Sequence, residues 1–558
     1  MSVVRPSSRR ALNLHGSIDR EIVTVLAILA AAYTVRLLLA AQDRVIRWDE
    51  PDYLTLGINL FSGRGYTTGV VPELHYTPLF PIVSGLFYLV LRNAELASNA
   101  VYIIAGTLLI IPIYAIARRI YGRWTATFTA CLLVVYPALS ASVLYWGTMT
   151  EPLYVLLAYA GFYATLRAIE DNRLSTYLAA GVLFALAYLT RPEASVTFAL
   201  MLGYLTVTRL MQRRLFTRST VTRLCAIALA FALVAAPYLG FLYVKSGRLL
   251  LSGKLGLTYA MGQAVLNKDP AEYDRLIASL DTTGLEIIWY SPDRFNYSVL
   301  DDFLSNPVAF GQRTLANMHI LSGQIFSHTI FPTFLGIPVL LGLMDVAWDR
   351  RRLRREAFLL TIVAAPMLSF LPFHIEIRFF APAFPVLLMW TAHGLAAIGR
   401  WVVESWRCMQ PEVGSETRQR HLYAALSVLP LGLVLVYFCV VIPTVVLSGQ
   451  RSLDWTHKDA GLWLRQHAAP DATIMTRDLA IAVYAQRPWI PSPNADYDHV
   501  MVYARYHNAD YFVIDENEIT TLRPQLGPLL NEQDPPQGLI YQETFSNGKR
   551  RTIIYRIP

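Results

Sequence analysis

Long runs of consecutive apolar residues, each closed by arginines or a short polar turn, recur along the chain as far as residue 447. Runs near 21–41, 99–117, 124–145, 150–168, 174–190, 194–211, 221–244, 326–347, 356–373, 379–399 and 421–447 read as about eleven bilayer-spanning helices. The shorter apolar segment 78–92 opens with Pro78 and Pro81, and reads as a re-entrant or surface-lying helix. From Asp454 the pattern turns soluble. Residues 460–465 predict a helix, and 472–476, 511–515 and 551–557 predict strands. The fold class is therefore mainly α: a polytopic transmembrane helical bundle over 21–447, with a small extracytoplasmic α/β domain at 448–558 and a cytoplasmic tail at 1–20.

Composition agrees with that pattern. Of 558 residues 54% are hydrophobic and 16% charged, and mean hydropathy is +0.38. The net charge of +8 is carried by arginines collected between apolar runs, at 118–123, 167–173, 209–223, 350–355 and 400–420. With the N-terminus inside, all five clusters face the cytoplasm, as the positive-inside rule requires. Nucleic acid is excluded as a partner, and the expected location is the plasma (inner) membrane. The first run is too long for a signal-peptide core and has no clear cleavage site, so it reads as an uncleaved span. Cys131, Cys225, Cys408 and Cys439 build no disulfide framework or zinc spacing. There is no HExxH pairing and no phosphate loop.

Under this topology the loop 42–98, the turns at 146–150, 191–193 and 374–378, the long segment 246–325 and everything after 448 share the outer face. The segment 246–325 is too polar to span and is expected to pack as interfacial helices over the site. Chemistry gathers on this face. Trp48-Asp49-Glu50 follows the first span, Glu151 opens another, Arg191 and Glu193 flank a turn, and His374, Glu376 and Arg378 crowd a third. Ionisable groups of both signs converging on one face suggest a site. An outer-face transfer has no ATP or nucleotide-sugar supply, so its donor must arrive through the membrane, as a lipid-phosphate sugar does. Such a transfer needs a base for the acceptor hydroxyl and a cation for the departing phosphate. Desolvation and a neighbouring acid raise a carboxylate toward that task, and arginine grips two phosphate oxygens at once. Tyr53, Tyr66 and Tyr76 are candidates to line a sugar pocket.

Asp49-Glu50, His75-Tyr76-Thr77-Pro78-Leu79, Thr150-Glu151-Pro152-Leu153, Thr190-Arg191-Pro192 and Arg378-Phe379-Phe380-Ala381-Pro382, in that order, resemble the GT-C glycosyltransferases. The branch they are most similar to holds the protein O-mannosyltransferases and the lipid A aminoarabinose transferase. The resemblance implies an inverting, polyprenyl-phosphate-sugar-dependent transferase with Asp49 as base and Glu50 as its acidic partner. It implies binding roles for His75, Tyr76, Glu151, Arg191, His374, Glu376 and Arg378, with Arg378 the better candidate for phosphate. His75-Tyr76-Thr77-Pro78 departs from the mannosyltransferases' His-Pro-Pro element. No inserted luminal repeat domain is present, which points to a bacterial or archaeal source.

The expected partners are the lipid donor, a glycan, lipid or protein acceptor, and membrane lipid. The sequence specifies no cofactor, and the paired acids and His75 leave a divalent cation open. A transporter or flippase of lipid-linked glycans is the competing reading, but it would place acids mid-span along a path. A glycan ligase or polymerase differs only in the size of what the donor carries.

Overall fold

Prolines decide how the apolar runs divide into helices. The computed structural model describes residues 9–69, 71–141, 150–409 and 416–558; the end of the N-terminal tail at 1–8, the end of the 124–145 run at 142–145 and most of the turn at 146–150 lie outside the described residues. Among the described residues seven helices are long and apolar enough to cross a membrane: Arg20–Ala40, Ala94–Ile120, Glu151–Asp171, Ala194–Met211, Arg218–Ser246, Ile377–Met409 and Thr417–Arg451. The chain is a multi-pass membrane protein. The other expected spans fall on helices that are shorter or more charged: Arg123–Val135, Leu174–Thr190, Gly336–Met344 and Arg350–Phe370. The first stops early because Tyr136, ahead of Pro137, takes an extended backbone. Behind Pro332 the run 326–347 begins as a single 3-10 turn, Thr333–Leu335, before its helix.

Helices meet where side chains vanish. A Cβ on Gly394 would overlap the carbonyl of Pro338, which lets the Gly336–Met344 and Phe384–Met409 helices touch backbone to backbone. The same device docks Leu79–Leu91 on Glu50–Phe61: a Cβ on Gly57 would overlap the Pro81 carbonyl, and one on Gly85 would lie 2.9 Å from the Gly57 carbonyl. At 13 residues, Leu79–Leu91 is about 20 Å long, short of the roughly 30 Å hydrocarbon core.

The two ends of the bundle differ in chemistry. At one end, arginines from separate loops interlock: Arg355 donates to the Ile120 carbonyl, Arg119 pairs with Glu170, and Arg118 reaches Glu21 at 2.9 Å. At the other end sits the C-terminal domain, a five-stranded sheet of β1 (Ile474–Thr476), β2 (Trp489–Pro491), β3 (Tyr511–Asp515), β4 (Ile540–Ser546) and β5 (Arg551–Arg556). The order is β2-β1-β3-β5-β4, parallel across the first three strands and antiparallel across the last three. Alternate residues face opposite layers. Phe512, Ile514, Ile553 and Tyr555 pack under the Tyr497–Tyr506 helix; Val513 and Ile554 pack against Trp455–His467 and Leu479–Ala485.

The segment 246–325 does more than cover the bundle. Ile287 enters the core of the C-terminal domain, Asn494 N–H donates to the Ala278 carbonyl at 2.8 Å, and Asp274 is held by two arginines of that domain. It joins the sheet domain because its helix Pro270–Ala278 presents a buried carboxylate that only partners outside the bundle satisfy.

Candidate active site

A cavity of about 740 Å³ lies between this end of the bundle and the C-terminal domain, within the range of small-molecule sites. Its membrane-side wall starts at Trp48. With φ of 58° this residue takes the left-handed conformation, uncommon without glycine, and turns the chain into the Glu50–Phe61 helix. Asp49 is the N-cap, Pro51 pre-sets the first turn, and the Asp49 carboxylate makes no cap bond. It meets Arg378 instead, with Nη1 3.3 Å from Oδ2.

Because the helix begins at Glu50, neighbouring carboxylates point apart and residues three apart share a face. Glu50, expected as the acidic partner of the base, is fully buried outside the cavity. Its two oxygens are taken by Arg44, one at 2.8 Å, and Ser98 donates to it at 2.9 Å. The cavity position goes to Asp52, which the sequence reading passed over despite its i, i+3 spacing after a helix-starting Asp-Glu-Pro. Burial, then the charges of Asp49 and Glu73, push the Asp52 carboxyl well above the usual range. The shift expected of a base beside an acid thus falls on Asp52.

Arg378 also pairs with Glu376, and His374 Nε2 stands 3.4 Å from the other Glu376 oxygen. Against its burial, Arg378 and then His374 hold the Glu376 carboxylate down to about 2. Glu376 lines the cavity; His374 braces it from behind. The Phe379 ring separates two guanidiniums, those of Arg378 and Arg191, each 5.3 Å from its centroid. Arg191 is not on the cavity wall. It ends the Leu174–Thr190 helix, ion-paired with Glu151 and Glu193 and 3.2 Å from Thr150 Oγ1, a closed buried cluster behind Phe379. Glu151 is set back with it. His75 is likewise withdrawn: its ring lies on Trp289, centroids 3.8 Å apart, and burial, then Lys254 and Arg294, keep it neutral by lowering its pKa well below 6.5. Its neighbour Tyr76 does face the cavity, edge-on to Tyr53 at 4.8 Å.

The far wall belongs to the C-terminal domain and to 246–325, the segment expected to pack over the site, but its individual residues were not singled out in the sequence. Arg477, Asp478, Trp489 and Arg523 line it with Asp274 and Trp289. Arg523 and Asp274 are both fully buried and joined at 2.8 Å, and Arg477 reaches the same carboxylate at 2.7 Å. Asp478 is bound to His457 Nδ1 at 2.9 Å, while His457 Nε2 lies 3.1 Å from Asp515. No spacing in the sequence signals these contacts, since Asp274 and Arg523 are 249 residues apart.

The domain also grips the peptide that carries Asp49. The Tyr484 hydroxyl accepts the Ile46 N–H at 2.7 Å, and Lys458 donates to the Arg44 carbonyl at 3.0 Å and to Glu95 at 2.9 Å.

Among the described residues, the group of acid and histidine ligand atoms close enough to share an ion is Asp454, His457 and Asp515, within 4.8 Å of one another. Both His457 nitrogens face carboxylates, which raise its pKa well above 6.5 despite burial, so the group holds an imidazolium. Asp49, Glu50 and His75, the set that left a divalent cation open, do not converge.

The fold and this cavity define a class. ArnT from Cupriavidus metallidurans bound to undecaprenyl phosphate superposes with a TM-score of 0.54 at 14% identity, over 95% of this chain and 97% of that one. The oligosaccharyltransferase of Archaeoglobus fulgidus in the apo form gives 0.54 at 15% identity, over 96% of this chain and 74% of that one. The same archaeal enzyme, AglB, in complex with an inhibitory peptide and a dolichol-phosphate gives 0.52 at 13%, over 95% and 74%. No curated protein sequence matches the chain. Residues 75–239 match the family of dolichyl-phosphate-mannose-protein mannosyltransferases. The chain therefore carries the fold of the GT-C membrane glycosyltransferases, and its family match is confined to residues 75–239.

Proposed function

We propose that this protein transfers one sugar from a polyprenyl-phosphate donor to an acceptor hydroxyl, with inversion, on the extracytoplasmic face of the plasma membrane. The observation that carries the reading is the Asp49–Arg378 pair, 3.3 Å apart on the wall of a cavity at the mouth of the bundle. The donor phosphate takes two oxygens to Arg378, whose planar fork suits them. Asp49, released from that contact, accepts the proton of the acceptor hydroxyl. The hydroxyl oxygen attacks the anomeric carbon opposite the phosphate, the bond from that carbon to the phosphate oxygen breaks, and polyprenyl phosphate leaves with the electron pair beside Arg378. The raised Asp52 carboxyl favours its protonated form, which lessens the negative charge facing the incoming sugar. The undecaprenyl phosphate bound by ArnT and the dolichol-phosphate bound by AglB support a lipid-phosphate donor.

The deciding experiment is mass spectrometry of membrane lipids and surface glycans from cells carrying wild type or Asp49→Asn. Loss of one glycan product with accumulation of a polyprenyl-phosphate sugar is expected, and an unchanged product profile with normally inserted protein overturns the reading.

A further inference from the structure

The acceptor side of the cavity has a composition of its own. Six aromatic side chains, Trp48, Tyr76, Tyr273, Trp289, Tyr290 and Trp489, come to it from three separate parts of the chain. The Trp48 ring, 57% exposed, is covered on one face by Arg47 at 4.6 Å. Between the rings five carboxylates and three guanidiniums line the cavity; Asp274 is closed off by Arg477 and Arg523 and Asp478 by His457, which leaves Asp49 and Glu376 as the open acids. The guanidiniums are committed. Arg523 and Arg477 are bound to Asp274, and Arg378 is held by Asp49 and Glu376 and, on the proposed function, turns to the donor phosphate. An anionic acceptor would find each lining guanidinium already engaged, and on the proposed function would face Asp49 and Glu376 once Arg378 turns to the donor phosphate. Flat rings set beside these two open carboxylates match a molecule with C–H faces and many O–H donors.

We propose that the acceptor is an uncharged carbohydrate, bound across the cavity between Trp48 on the bundle and the Trp489 wall of the C-terminal domain. This rests on the transferase reading for its direction, since the hydroxyl to be glycosylated must point at Asp49. The binding itself does not depend on transfer. A phosphorylated lipid acceptor conflicts with the committed arginines. A peptide would seek backbone partners, whereas the wall described here is made of rings and side-chain carboxylates.

The test uses the full chain in lipid nanodiscs and three probes: a neutral mannotetraose, tetragalacturonate as its acidic counterpart, and a Ser/Thr-rich peptide. Binding is read by saturation-transfer NMR and tryptophan fluorescence. Mannotetraose is expected to saturate the site and to bind at least about tenfold tighter than tetragalacturonate, one tenfold step corresponding to about 1.4 kcal/mol. Trp48→Leu, at an exposed position, is expected to weaken it about fivefold. Saturation transfer in the unmutated protein gives a second reading that no folding defect can mimic. Equal or tighter binding of tetragalacturonate, or binding of the peptide alone, overturns the proposal. Tight mannotetraose binding together with no sugar transfer from any polyprenyl-phosphate donor keeps the acceptor site and sinks the transferase reading instead.

Discussion

The two walls of the cavity handle charge differently. On the bundle side, Asp49 and Glu376 have side chains 37% and 43% exposed, and both share Arg378. On the domain side, Asp274 and Arg523 are wholly buried, and Arg477 and Ser492 complete their hydrogen bonds. On the proposed function, the charges that exchange partners during transfer are the ones left open to the cavity, whereas those that hold two parts of the chain together are sealed. The comparison separates groups that act from groups that fasten, although both line the same space.

Substitutions can break or sharpen that difference. Asp49→Asn is expected to lower transfer by about 10³-fold while leaving the melting temperature in detergent unchanged, because the side chain caps nothing. Single-turnover assay with purified lipid donor reads the rate. Arg378→Lys is expected to cost about 10²-fold, mostly as weaker donor binding, since a point charge does not replace a two-toothed fork; titration of the donor separates KM from kcat. On the sealed wall, Arg523→Ala leaves the buried Glu518 carboxylate without its arginine and takes one of two from Asp274, and is expected to destabilise by about 3–5 kcal/mol. Asp274→Leu and Glu518→Gln combined with Arg523→Met should recover much of that loss, as measured by thermal unfolding. If the single and triple variants melt alike, the cluster is not a fastening.

Two smaller effects concern pH. Asp52 holds its proton above the ordinary carboxylate range, and its protonated form is the one that lessens the negative charge beside the sugar. Activity should therefore fall as pH rises through that raised value. Asp52→Asn, which mimics the protonated acid, should remove that limb from the profile with about a threefold change at the optimum. His457 is raised, so its stabilising contribution is complete below its unfolded value of about 6.5 and fades as pH rises through the folded one. Asp478 and Asp515 are lowered, so theirs is complete above about 4 and is lost as pH falls through their folded values. Hydrogen exchange at β1 and the Trp455–His467 helix should be slowest between those limits, and His457→Gln should flatten the alkaline side.

Much of the bundle was legible because bilayer crossing imposes length and apolarity, and Asp49 and Arg378 stood out as charges at span ends. Their meeting across 329 residues follows from the order of the spans. Glu50 misled because a sequence does not show where a helix starts. Read as extended chain it shares work with Asp49, but as the first helical residue it turns into the protein toward Arg44. Asp52 was reachable by the same geometry once Pro51 was taken as a first-turn residue. Arg191 and Glu151 looked like site residues because burial and a turn are common to active groups and to braces. The far wall stayed hidden, since Arg477-Asp478 reads as an ordinary helix cap and only the docking of the Pro270–Ala278 helix gives it a place.

Tyr484 and Lys458 hold the strand of backbone from Arg44 to Ile46, two residues short of Trp48. The soluble domain and the membrane-embedded machinery are thus one mechanical unit. On the proposed function, anything that pulls on the domain, whether an antibody or a truncation, is felt as a shift in the position of Asp49.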